Sequence, residues 1–409
     1  MANDDEASSE LPTGSRLTAL DEAFRSDPYV ILNRLRSRDP IHRDEELKRW
    51  FITDHDLVRE VLRDKGFCVD ARKALENSFA RQIAGSGADA EAPSMLGLDD
   101  PDHRRLRSFV SRAFAPKAVE VLRPKVEQIV EEVLAPLRGR ASFDVIAEYG
   151  SPIPFRVLAG MLGVEASDQG RFRRWAESKV QAFDPFRSDE TAAGMKRADA
   201  ELRDYFRHAI AERRSSARND ILSDLVQANE RGETLSEDEI VTMCNLLIVA
   251  GIVTTTDLIG NGVLALLRNP EQCRTLRQQP DLIVGAVEEM LRFDSPVIQT
   301  GRIATREGRI GERCISKGES ISLSLGAANH DPKAYRHPQR FDIERKDNHH
   351  HSFGGGVHLC LGAALARVQA QVAINRLLEA FPSLRLAAEP VRRRLPVLHG
   401  CEQLVVLTR

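Results

Sequence analysis

The chain has 409 residues, with 58 Lys and Arg against 61 Asp and Glu and a formal net charge of −3. That balance excludes a nucleic-acid binder, which would carry a basic excess or a basic stripe. The six cysteines stand without paired spacing, which excludes a disulfide framework and fits reduced thiols in a cytoplasmic protein.

Residues 1–15 are acidic and polar, without the basic and apolar regions of a signal peptide, and read as a disordered lead. No Pro/Gly/Ser-rich linker divides residues 16–409, so one large domain is expected there. Periodic apolar positions predict helices over 55–64, 103–114, 117–138, 153–163, 169–182, 196–214, 236–268, 271–278, 281–293 and 361–381. Strand-like pieces are short, at 41–42, 50–52, 297–299, 309–310, 320–325 and 404–407. The fold class is therefore mainly α with a minor β portion. No uncharged apolar run approaches the length of a membrane span, and the longest, 246–253, reads as a buried helix segment.

Ser236-Glu237-Asp238-Glu239 is a capping box, opening a helix that can run to Arg268 before Asn269-Pro270 stops it. Such a helix would extend about 50 Å, enough to cross the domain. In its middle lies Ala250-Gly251-Ile252-Val253-Thr254-Thr255-Thr256. Gly251 removes a side chain, and Thr254 can bond back to the Ala250 carbonyl, which would bend the helix and open a groove beside a hydroxyl. The plainer reading is a β-branched run packed in a core helix.

Further on, Glu289-Met290-Leu291-Arg292 sets an acid and a base on one helix face. Most such pairs are surface ion pairs of small energetic value. Phe341-Asp342-Ile343-Glu344-Arg345 follows, then a long polar loop into Phe353-Gly354-Gly355-Gly356-Val357-His358-Leu359-Cys360-Leu361-Gly362. The glycines let the backbone pass close to a flat cofactor. The helix that follows favours a thiolate at Cys360 through its free amides. No second Cys or His stands beside it at zinc spacing, and a lone thiolate under an open coordination position suits a haem iron that activates O2.

The decapeptide resembles the haem-binding signature of the cytochrome P450 family, F-G-x-G-x-H-x-C-x-G, at every fixed position. The resemblance runs from about Asp21 to the C-terminus in the order of soluble bacterial members. It implies the P450 fold, a single large haem domain, and haem b with Cys360 as its axial thiolate, seated by Phe353, Gly354 and Gly362. His103 and Arg107, which match an H-x-x-x-R helix, Arg302, His358 and His350 would contact the haem propionates. Glu289, Arg292 and Arg345 match E-x-x-R and F-D-x-x-R, and would form a buried triad bracing the cysteine loop.

Ala250, Gly251 and Thr254 match the oxygen-activation motif A-G-x-[DE]-T, with Thr255 a second hydroxyl, but the acid position is Val253. Cleaving the O–O bond requires protons. Water held by Thr254 and Thr255 or a polar group of the substrate is the expected source; Asp257, one turn on, could relay protons, but a solvated or capping role is the plainer reading.

In this fold the substrate pocket would be lined by Leu247, Val297, Ile298 and Leu398 with segments 70–98 and 179–194, implying an apolar small molecule. Arg72, Lys73 and Arg81 read as ordinary surface charges. No flavin or nicotinamide fingerprint occurs, so electrons are expected from an external ferredoxin and its reductase, docking at Arg104, Arg105, Arg112 and Arg367. The leading function is a monooxygenase hydroxylating that molecule. Val253 keeps open a peroxygenase or other non-monooxygenase activity, and a non-catalytic haem binder is the third alternative.

Overall fold

Ser236 accepts a hydrogen bond from the Glu239 amide at 3.2 Å, and the Glu239 carboxylate accepts one from the Ser236 amide at 2.8 Å. This reciprocal cap opens an unbroken helix over Glu237–Arg268, the axis of the molecule in a computed structural model that describes residues 11–85 and 92–409. The helices Pro152–Leu162, Gln169–Lys179, Asp189–Ser215, Ile283–Phe293 and Ala363–Ala380 pack around it. Among the described residues it alone combines the length and hydropathy of a membrane span, contrary to the expectation from the 246–253 run. Its apolar surface is instead enclosed by these neighbours, as in any helix at the centre of a large core.

The predicted stretch 117–138 divides into Pro116–Val121 and Arg123–Leu134. Pro124 at the start of the second helix lacks an amide for the first to continue through, so the chain turns at Leu122. The helix foreseen at 196–214 begins earlier, at Asp189, where Ser188 caps the Thr191 amide. Pro28–Arg38 was not foreseen, because only Pro28, Leu32 and Leu35 are buried along it. Its start is set by the Asp27 cap and by Pro28 in the first turn.

A five-stranded sheet flanks the helices in the order Ile41–Asp44, Arg49–Ile52, Ser320–Ser324, Gln299–Ala304, Phe67–Cys68. Only the second and third of these run parallel. Residues 1–10 of the expected lead lie outside the described residues, but its remainder is docked. The Gly14 amide donates to buried Asp44 at 3.0 Å, and Leu17 is fully buried.

Candidate active site

The cysteine loop is shaped by two left-handed glycines, Gly354 at φ +69° and Gly356 at φ +67°. A Cβ on Gly356 would overlap the carbonyl of Leu62, so that position admits no side chain. The Cys360 amide closes the loop on the Phe353 carbonyl at 3.0 Å. The helix starts two residues later than expected, at Ala363, with Gly362 as its cap. The thiol is accessible. It is set deeply enough that burial pushes its pKa up, against the pull of the Gly362 amide, Arg107 and Arg367.

Glu289 and Arg292 form the expected pair, with Nε and Nη2 at 2.7 and 2.8 Å from the two carboxylate oxygens and neither side chain exposed. Arg345 Nε completes the triad at 3.0 Å. Arg292 also donates to the carbonyls of Asn329 and Pro338 at 2.9 and 2.8 Å. Asn329 in turn accepts from the His351 amide at 2.8 Å and donates to Ser352, which donates to the Leu291 carbonyl. The triad is thus tied to the loop by Asn329 and Ser352, two residues that carried no sequence signal.

His103, Arg107, Arg302 and His358 converge from three separate elements. The His103 and His358 rings lie 4.2 Å apart, and Arg107 donates to the Leu359 carbonyl at 2.7 Å. Burial, then His103 and Arg302, press the His358 imidazole down to about 4. Arg302 is pushed down to about 10 by burial. It donates to the Gly301 carbonyl at 2.7 Å and has no carboxylate at ion-pair distance among the described residues. His358 Nε2 is buried without a hydrogen-bond partner among the described residues. His103 faces Asp100 at 3.4 Å, but Arg302 and His358 lack a matching acid among the described residues, which fits a ligand carrying carboxylates, as haem does through its two propionates.

His350 does not join them. Its Nε2 faces Glu288 at 3.2 Å and its Nδ1 accepts from the Ser352 amide, so both nitrogens are engaged within the protein. Glu288 also receives Arg367 at 2.7 Å on each oxygen. Arg367 is therefore an internal brace rather than a free docking charge, and Arg105 is likewise held by Glu239 at 2.6 Å. Arg112 is exposed, and so is Arg104, although it pairs with Asp100 at 2.6 Å.

On the central helix Ala250 is exposed and Thr254 is partly so, although residues on most of its length are buried. Thr254 donates to the Ala250 carbonyl at 2.6 Å, as expected. The helix stays regular, and Gly251 is small because Leu158 presses on it, so that glycine serves helix packing. Thr255 is buried.

Val253 packs with Ala176, Val180, Leu395 and Leu398, and Val297 joins them. Ile298 points the opposite way, into the cluster of Leu17, Phe24 and Phe51, because neighbours in an extended segment face opposite sides. Leu247 is buried in the main core. Asp257 is neither solvated nor capping: its side chain is fully buried on Arg393 at 3.0 Å. Arg72 and Lys73 pair with Asp70 and Asp99 at 2.6 and 2.8 Å. Residues 86–91 of the expected pocket segment lie outside the described residues.

The cytochrome P450 family model matches residues 46–396. Cytochrome P450 107B1 of Saccharopolyspora erythraea is 40% identical over 95% of this chain and 97% of its own. A structure of P450BioI in complex with hexadec-9Z-enoic acid ligated acyl carrier protein superimposes with a TM-score of 0.88 at 37% identity, covering 95% of this chain and 100% of that one. Myxobacterial CYP267B1 in complex with myristic acid gives 0.89 at 34% identity over 95% and 98%. With the loop, the triad and the cation cluster arranged as they are, the chain belongs to the cytochrome P450 family, the haem-thiolate monooxygenases that carry haem b on a cysteine sulfur.

Proposed function

We propose that this enzyme is a soluble cytoplasmic monooxygenase that inserts one oxygen atom into an apolar small molecule, with electrons from a small iron–sulfur ferredoxin and its reductase. The observation that supports the substrate class is the apolar wall in which Val253, Leu395 and Leu398 pack together, with Val297, Val249 and Phe183 against them. An apolar ligand seated beside it would gain about 25 cal/mol per Å² of surface buried. The fatty acyl groups bound in the P450BioI and CYP267B1 structures are of that chemistry.

Cys360 would hold the iron, and His103, Arg107, Arg302 and His358 the propionates. Haem, when bound, supplies the O2 chemistry. The protein's part is to orient and to manage protons. Thr254 spends its hydroxyl proton on the Ala250 carbonyl, leaving its oxygen to accept a hydrogen bond from a group in the cavity. Val253 carries no proton and gives the apolar wall its continuity.

A spectral titration tests the substrate class. Long-chain fatty acids and steroids should shift the Soret band of the holoenzyme, and short polar acids should not. A shift confined to the polar ligands would overturn the reading. Val253 also supports a peroxygenase reading, which predicts turnover with peroxide alone as fast as with ferredoxin.

A further inference from the structure

Asp257 stands out on the central helix. Its side chain is fully buried, yet among the described residues it has one hydrogen-bond partner, Arg393 Nη2 at 3.0 Å from Oδ1, and Oδ2 is buried without any. The carboxyl presses against Gly400, where a Cβ would overlap it. Asp257 lies four residues beyond Val253 and three beyond Thr254, hence on their face of the helix. Helical side chains lean toward the N-terminus, so this carboxyl leans over the turn that presents both residues. Its partner Arg393 also lines a cleft of about 290 Å³, together with Val253, Thr256, Glu177 and Glu402. Nothing in the sequence distinguishes this carboxyl from a solvated one, because its burial is made by segments far away in the chain.

We propose that Asp257 is the proton-positioning carboxyl of this enzyme, one turn downstream of the acid that Val253 replaces, with Arg393 holding it from the cleft beside Glu177 and Glu402. The step moves a proton and no electrons. The O–H bond at Asp257 breaks as one forms on an acceptor hydrogen-bonded to the Thr254 hydroxyl. Arg393 stabilises the carboxylate left behind until a proton returns. Burial raises this carboxyl, while Arg393, His399 and Arg392 pull it back down. Glu177 and Glu402 face Arg393 from the other side and temper its pull.

The proposal rests on the monooxygenase reading and is tested apart from it, on holoenzyme whose reduced carbon monoxide complex shows the red-shifted absorption of a thiolate-bound iron. Loss of that spectrum in the parent enzyme would defeat the reading itself. Infrared difference titration of the ligand-free protein gives the readout independent of turnover. The parent should show a carboxylic C=O band, titrating above the usual carboxylate range, that Asp257→Asn lacks.

In turnover, product formed per electron should fall in the parent as pH rises through that same titration. In Asp257→Asn it should be low at every pH, down on the order of 10²-fold, and Asp257→Glu should restore most of it. Absence of the band, or parental coupling and pH profile in Asp257→Asn, overturns the proposal. Should Asp257→Asn fail to fold, the Glu177→Gln/Glu402→Gln double variant serves. It should move the coupling profile to lower pH, and an unmoved profile overturns the proposal.

Discussion

Arg345 reaches back to Glu289 across 56 residues of chain, its Nε 3.0 Å from the oxygen that Arg292 Nε also holds at 2.7 Å. One buried carboxylate therefore compensates two guanidinium groups, while the Asp342 amide donates to its other oxygen at 2.9 Å. Glu289→Gln leaves both arginines without a counter-charge in the core. The expected loss is about 3–5 kcal/mol, read by denaturant unfolding, and haem content should fall with it.

The cation cluster predicts haem retention. Arg302→Ala and Arg107→Ala each remove a charge-assisted bond worth about 1.5–3 kcal/mol to a carboxylate. Haem transfer to an apo-globin should accelerate by about tenfold or more in either variant, with folding of the apoprotein little changed. His350→Ala should leave the transfer rate near that of the parent, since His350 faces Glu288.

The Glu288 carboxyl is held down to about 2, because the Arg367 hydrogen bonds and then the His350 contact outweigh burial, which alone would raise it. A carboxyl depressed by folding contributes stability above its ordinary value of 4.5 and loses that contribution as pH falls to about 2. Thermal unfolding of the parent should lose stability across that window more steeply than Glu288→Gln. The two curves should converge at the acid end.

Gly356→Ala introduces a side chain at φ +67° against the Leu62 carbonyl. Forcing an L-residue there costs roughly 1–2 kcal/mol before any clash. The cysteine loop should distort while the helices stay folded. Circular dichroism near that of the parent, with reduced haem incorporation, is the expected result.

Cys360→Ser should abolish the red-shifted carbon monoxide absorption of the reduced protein and all turnover. A serine variant with full activity would remove the basis of the assignment.

Much was legible in the sequence because it was encoded locally. The Ser236 capping box, the spacing of Glu289 and Arg292, and the glycine loop around Cys360 each act within a few residues, and each took the geometry its residues imply. What failed was information carried by distant neighbours. Gly251 looked like a groove but is a contact with Leu158, and His350 looked like a rim cation but is a partner of Glu288. Ile298 lost its expected place in the pocket to the alternation of an extended strand.

By itself, the sequence determined the helical class, the cysteine loop and the family, since periodicity, capping and glycine backbone freedom are properties of short segments. Only the tertiary structure decided which charges are buried and against what. Asp257 became a fully enclosed carboxyl because the C-terminal segment brings Arg393 and Gly400 onto it from 136 and 143 positions away. Burial of a charge depends on everything packed around it, and no local pattern records that.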